Sequence, residues 1–175
     1  MFKIIAIAVL VVLVAILIFA TTKPDNFRVE RSTTIKAAPE KVFALINDFQ
    51  RWTSWSPYEK KDPGMKRTYS GAASGIGAIY EWDGDKNVGK GLMEITEATP
   101  SSRIVIKLDF LAPFEAHNTA EFTLQAQGDS TQVTWAMYGP ANFISKLMSV
   151  FFSMDKMVGD DFAIGLANLK AAAEQ

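Results

Sequence analysis

The chain has 175 residues, 18 basic and 19 acidic, with one histidine and no cysteine, and 49% of it is apolar or aromatic. So even a balance, with no run of like charge, argues against the basic stripe that holds nucleic acid and the polybasic cluster that clamps acidic lipid. The missing cysteines remove disulfide frameworks, thiolate metal sites and cysteine nucleophiles from consideration, and leave the redox compartment open.

The first element in chain order is the run Ile4 to Ala20, seventeen residues without charge, glycine or proline, flanked by Lys3 and Lys23. Its length approaches the ~20 apolar residues that cross a hydrocarbon layer about 30 Å thick, so residues 1–22 read as a membrane anchor. The rivals are a cleaved signal peptide and a buried helix; against cleavage, the run exceeds the usual h-region and Ile18-Phe19-Ala20 is a poor small-x-small site. Lys3 favours a cytoplasmic start, whereas Lys23, Arg28, Arg31 and Lys36 pull the other way. The resulting expectation is a single-pass protein, anchored or carrying an uncleaved signal, with its domain outside the cytoplasm.

Residues 23–26 form a short linker holding Pro24, and residues 27–175 fit one domain large enough to bury its own core without metal or disulfide. Taking Lys3 and Lys23 from the 18 basic residues leaves 16 against 19 acidic, a net of −3. Phe27 to Ile35 alternates as a half-exposed strand. Pro39 then opens a short helix with Val42, Phe43, Leu45 and Ile46 on one face. Strands follow at Lys66–Ser70, Ala78–Trp82, Val88–Glu97, Arg103–Phe110, Ala116–Ala126 and Thr131–Tyr138, separated by short turn sequences such as "DGDKN" and "QGDS", which make neighbours antiparallel. From Asn142 to Ala173, Leu147, Phe151, Met154, Val158, Phe162, Gly165 and Leu169 recur at steps of three or four, one stripe of a long helix in which Gly159 and Gly165 are mild breakers. The expected fold is α+β: about seven antiparallel strands curling around one long terminal helix.

Five segments in this order, Ile35-Lys36-Ala37-Ala38-Pro39-Glu40-Lys41-Val42-Phe43, Trp55-Ser56-Pro57, Gly75-x-Gly77, Thr131-x-Val133-Thr134-Trp135 and Gly165-Leu166-x-Asn168-Leu169-Lys170, resemble the polyketide cyclase/dehydrase and lipid-transport family of the START-like (SRPBCC) superfamily. The resemblance covers about residues 27–172. It implies the helix-grip fold and a hydrophobic cavity between sheet and terminal helix, used across the superfamily for lipids, steroids, polyketides, hormones or aromatic substrates. It carries no common catalytic set. An apolar amino-terminal segment departs from the usual soluble member.

Two of the four tryptophans, Trp52 and Trp55, fall in the polar stretch "DFQRWTSWSPYE". A tryptophan joins a large apolar surface to one N–H, which suits the wall or rim of a cavity; the alternative is that the pair seals the core beneath the short helices. Strand parity adds Tyr80, Trp82, Asn118, Phe122, Trp135 and Met137 to the candidate ligand-binding set, and the helix stripe adds Phe151, Met154, Val158 and Phe162; plain core packing uses the same residue types.

Signals for chemistry are sparse. His117 shares a strand face with Glu115, Thr119 and Glu121, a set able to hold a metal or a proton, but Ala116, Ala120, Phe122 and Leu124 must take the inner face, which leaves His117 to solvent. "GIGAIY" precedes a strand, whereas a phosphate-binding glycine loop follows one. Asp155, Asp160 and Asp161 read as solvated helix charge. No cofactor, metal or nucleic acid is expected. The leading functional reading is a membrane-anchored module that binds or transfers a lipid, polyketide or aromatic molecule. A cyclase/dehydrase-type lyase or isomerase, marked by an inward polar cluster around Asn118, Tyr80 or Tyr138, is the second; a ligand-free protein-interaction module with a filled interior is the third.

Overall fold

A computed structural model describes all 175 residues. Helix α1 spans Phe2–Thr21 and β1 Asn26–Ile35; α2 (Pro39–Ile46), a 3-10 turn (Phe49–Ser54) and α3 (Tyr58–Lys61) then carry the chain across to the far edge of the sheet. Strands β2 (Lys66–Gly71), β3 (Ala78–Asp83), β4 (Lys90–Thr99), β5 (Arg103–Ala112), β6 (Ala116–Gln127) and β7 (Ser130–Pro140) follow as successive hairpins, and α4 (Phe143–Phe151) and α5 (Met154–Ala173) close the chain. The seven strands lie in the order β1-β7-β6-β5-β4-β3-β2, all neighbours antiparallel. Short connections dictate the hairpins, and only the first strand arrives by a long excursion, so β1 pairs with the last strand.

The two tryptophans of the crossover lock its geometry. A helix leaves its last carbonyls without intrahelical partners. At the end of α2 the Trp52 indole N–H donates to the Ile46 carbonyl at 2.8 Å, and that of Trp55 to the Leu45 carbonyl at 3.1 Å. Each indole therefore joins an apolar seal to a helix cap. Asn168 of α5 donates to the Trp55 carbonyl, tying the same turn to the terminal helix.

The long terminal helix expected from Asn142 to Ala173 is two helices. Phe152 takes extended backbone (φ −128°, ψ 134°), and each half has its own cap: the Asn142 side chain accepts from the Ser145 N–H, and the Ser153 hydroxyl from the Lys156 N–H. A serine cap thus breaks the period where the hydrophobic pattern runs on. Gly159 and Gly165 do not break the helix at all. They are points of close approach: a β-carbon at Gly165 would lie 2.7 Å from the Trp135 ring and 2.9 Å from Pro57, and one at Gly159 would collide with the Arg31 guanidinium. Beside Gly159, Arg31 of β1 meets the Asp155 carboxylate with both terminal nitrogens, at 2.9 and 3.1 Å. Gly75 and Gly77 serve the β2–β3 connection, both with positive φ.

Helix α1 stands apart from this body. It is 20 residues long, enough at ~1.5 Å per residue for about 30 Å, and it carries no charge inside except Lys3 near its start. It is a helix that could span a membrane. Along its length only Ile16 and Ala20, on one face of its final turns, are not fully exposed, and α4 packs against it.

Candidate functional site: a half-hollow sheet

The concave face of the sheet is filled unevenly. Toward the β6–β7 hairpin, Ile35, Ile95, Ile104, Phe122, Leu124 and Val133 meet Val42 and Ile46 of α2 and Leu166 and Leu169 of α5, all of them buried in one cluster with Trp55. Toward the β3–β4 hairpin the walls part around a cavity of about 450 Å³. Fifteen of its twenty lining residues are hydrophobic, and the sheet side is supplied by Tyr80, Trp82, Met93, Leu108, Phe110, Ala120, Trp135 and Met137. The helix side comes from Met157, Val158, Asp161 and Phe162 of α5, with Trp52, Ser56, Tyr58, Glu59 and Lys61 from the crossover. Trp135 and Phe162 stack at 4.0 Å between ring centres, and this pair forms the boundary between the packed and hollow halves.

Of the twelve residues expected to contact a ligand, seven line this cavity: Trp52, Tyr80, Trp82, Trp135, Met137, Val158 and Phe162. Five do not. Trp55 and Phe122 are wholly buried in the packed half. Asn118 lies on β6 opposite Gly139, outside the lining, its amide oxygen filling the space a β-carbon at Gly139 would take. Phe151 and Met154 flank the break between α4 and α5 and point outward, 61% and 39% exposed, because the break turns the stripe they belong to away from the sheet. The two readings of the tryptophan pair therefore divide between them: Trp52 is both wall and seal, and Trp55 is seal alone.

Among the lining residues absent from that set, Leu108, Phe110 and Met93 follow strand parity and were legible in principle. Glu59 and Met65 were not, since one sits in the four-residue helix α3 and the other in the loop after it, whose directions only the tertiary structure sets. Glu59 introduces the polar centre of the cavity: one carboxylate oxygen accepts from the Tyr80 hydroxyl at 2.9 Å and the other from the Arg67 guanidinium at 2.6 Å. Burial, and next the adjacent Glu59 charge, push the Tyr80 phenol far above its ordinary value. Tyr58 is also raised, chiefly by burial. Both phenols stay protonated at any physiological pH and can only donate or accept a hydrogen bond there. The Trp135 indole N–H is buried without a hydrogen-bond partner. At the mouth, Lys61 of α3 and Asp161 of α5 pair at 2.6 Å.

His117 lies on the outer, convex face. Its ring contacts Asp109 at 2.8 Å and Glu115 at 3.3 Å and is largely exposed. The hydrogen bond to Asp109 raises the imidazole above its ordinary value. Burial alone would raise Asp109, but hydrogen bonds from Lys107 and His117 outweigh it and hold that carboxyl low. The four groups close on one another, and none lines the cavity.

A curved antiparallel sheet gripping a terminal helix over an apolar hollow defines a START-like ligand-binding domain. The family model for polyketide cyclase/dehydrase and lipid transport matches residues 26–174, and the chain belongs to that family. Its fold is shared with a protein from Chromobacterium violaceum (17% identity, TM-score 0.60, 87% of this chain and 99% of that one). It is shared also with a Thermobifida fusca protein (19%, 0.62, 83% and 92%) and with the major latex-like protein 151 of Panax ginseng (13%, 0.60, 87% and 100%). Identities this low speak for the fold alone. No curated protein matches the chain.

Proposed function

We propose that this protein is a membrane-anchored START-like module that binds or transfers a hydrophobic small molecule of the lipid, polyketide or aromatic class. The observation that carries the reading is the 450 Å³ cavity with its mainly apolar wall, a volume within the ~300–1,000 Å³ usual for small-molecule sites. Its polar lining is confined to Ser56, Glu59, Lys61, Asn87 and Asp161 together with the Tyr80 hydroxyl, so an apolar ligand with a hydrogen-bonding head suits it. A hollow interior supports this reading over a ligand-free interaction module. The apolar helix α1 supports the anchor. The test is native mass spectrometry of the full chain, purified gently from cells in mild detergent. A co-purifying apolar compound at near-unit occupancy is the expected result; a protein that stays empty after incubation with membrane extract overturns the reading.

One observation favours a second reading, an enzyme of the cyclase/dehydrase type. The Tyr80–Glu59 hydrogen bond puts a carboxylate base on the cavity wall beside a hydroxyl that orients it, so Glu59 can take a proton from a bound ligand. If the recovered compound is converted by the protein, Glu59→Gln lowers turnover by about 10²-fold or more while the compound still binds. Equal turnover in the variant removes this assignment.

A further inference from the structure

The register of the sheet gathers four chain-distant points at one end. Asn26 pairs with Pro140, Ala116 with Phe110, Phe110 with Gly91, and Lys90 with Asp83. The start of β1, the end of β7, the β5–β6 turn and the β3–β4 turn are therefore all on the same rim. Helix α1 leaves the domain from this rim, four residues before β1, and α4 starts from it. The mouth of the cavity opens on the same side, since its exposed lining residues are Asn87 of the β3–β4 turn, Lys61 at the end of α3 and Met157 in the first turn of α5.

This end also carries apolar side chains that the domain does not bury. Leu111 near the end of β5 and Phe114 of the β5–β6 turn are 48% and 63% exposed. Phe151, Phe152 and Met157, across the α4–α5 break, are 61%, 54% and 61% exposed. The opposite end exposes a single large apolar side chain, Ile76 of the β2–β3 connection at 62%, and its β6–β7 turn is Gln127-Gly128-Asp129-Ser130. Scattered exposed apolar residues need no explanation, but a rim drawn from two separate segments around a cavity mouth does. Helix α4 fixes its depth. It packs against α1, whose only covered residues, Ile16 and Ala20, lie in the last turns of the span. If α1 crosses a bilayer, α4 stands at the level where the hydrocarbon meets the headgroups, and its Lys146 pairs with Asp25 just beyond the span.

We propose that this rim is a second membrane contact: Leu111, Phe114, Phe151, Phe152 and Met157 sit in the interfacial layer of the bilayer that holds α1, so that the cavity opens onto the lipid surface and not into water. The inference rests on the reading of α1 as an anchor. It deepens the proposed function, because a ligand dissolved in the membrane passes Met157 into the cavity without crossing an aqueous gap. An apolar face of this kind reaches about 5–10 Å into the headgroup and acyl boundary.

The chain has no cysteine, so single-cysteine variants of the full chain can be labelled with a polarity-sensitive fluorophore. Reconstituted in vesicles of phosphatidylcholine and phosphatidylglycerol, Phe114→Cys and Phe152→Cys report the rim, Asp129→Cys the opposite end, and Leu10→Cys the anchor itself. The expected result is quenching of the rim labels by spin-labelled lipid, with quenching by aqueous iodide about fivefold weaker than at position 129. Rim labels as open to iodide as position 129, with the Leu10 label in lipid, overturn the rim contact and leave the anchor standing. Rim labels shielded from both quenchers show a protein, such as a second copy, covering the rim, and also overturn it. A Leu10 label open to iodide removes the anchor and the rim contact together.

Discussion

The two halves of the concave face are both lined by apolar side chains and do different work. In the packed half, β-branched and leucine side chains of the sheet meet α2 and the last turns of α5 without a gap, and the buried cluster includes Ile95, Ile104, Val133 and Leu169 with no measurable exposure. In the hollow half, long flexible or planar side chains, Met93, Met137, Trp82 and Phe110, stand around empty space. The packed half has α2 against it. The hollow half has only the short α3 and the first turns of α5, and the ion pair Lys61–Asp161 is the contact that joins them. The cavity opens where the layer covering the sheet is thin.

This contrast can be broken first in the packed half. Phe122→Ala removes a wholly buried ring next to Trp52, Trp55 and Trp135, and should cost ~3–5 kcal/mol in chemical denaturation. In the hollow half Met137→Ala borders existing empty space and should cost less, at or below about 2 kcal/mol. Equal losses at the two positions would erase the distinction. Gly165→Ala forces a methyl against Trp135 and Pro57, with an expected cost of ~1–3 kcal/mol and a drop in melting temperature. A wild-type melting temperature would mean that the helix can withdraw from the sheet.

Ala120→Leu sharpens the comparison from the other side. Its side chain faces the cavity, so the added volume should leave stability within about 1 kcal/mol of wild type while removing the co-purifying ligand. Loss of stability without loss of ligand would place the site elsewhere. The smallest effect belongs to the convex face. The His117 imidazole is raised above 6.5 by its bond to Asp109, so whatever stability the pair supplies is present below that value and fades as pH rises through the shifted one. Proton NMR titration should find the shifted midpoint, and Asp109→Asn should return it toward 6.5; a midpoint unchanged by the substitution would dissolve the pair.

The strands were legible because a half-buried strand must alternate, and Tyr80, Trp82, Trp135 and Met137 reached the cavity wall by parity alone. Helical period served as well for Val158 and Phe162. It failed at Phe151 and Met154, which flank the Ser153 cap where a new helix starts inside an unbroken hydrophobic stripe; a cap costs the pattern nothing and redirects the residues on both sides of it. Glu59 gave no signal because its helix is four residues long and its direction is set by Arg67 and Tyr80, which come from strands further along the chain.

By itself the sequence determined the apolar span, the order of strands and helices, the inner and outer faces of the sheet and the family. The first three follow from local period and composition, and the family from the resemblance of its five motifs. Tertiary structure alone decided that one half of the concave face is filled and the other empty, that Trp55 belongs to the first and Trp52 borders the second, and that the mouth shares a rim with α1. Those are distances between elements far apart in the chain, and a periodic pattern fixes the side on which a residue lies without fixing how far away the opposite wall stands.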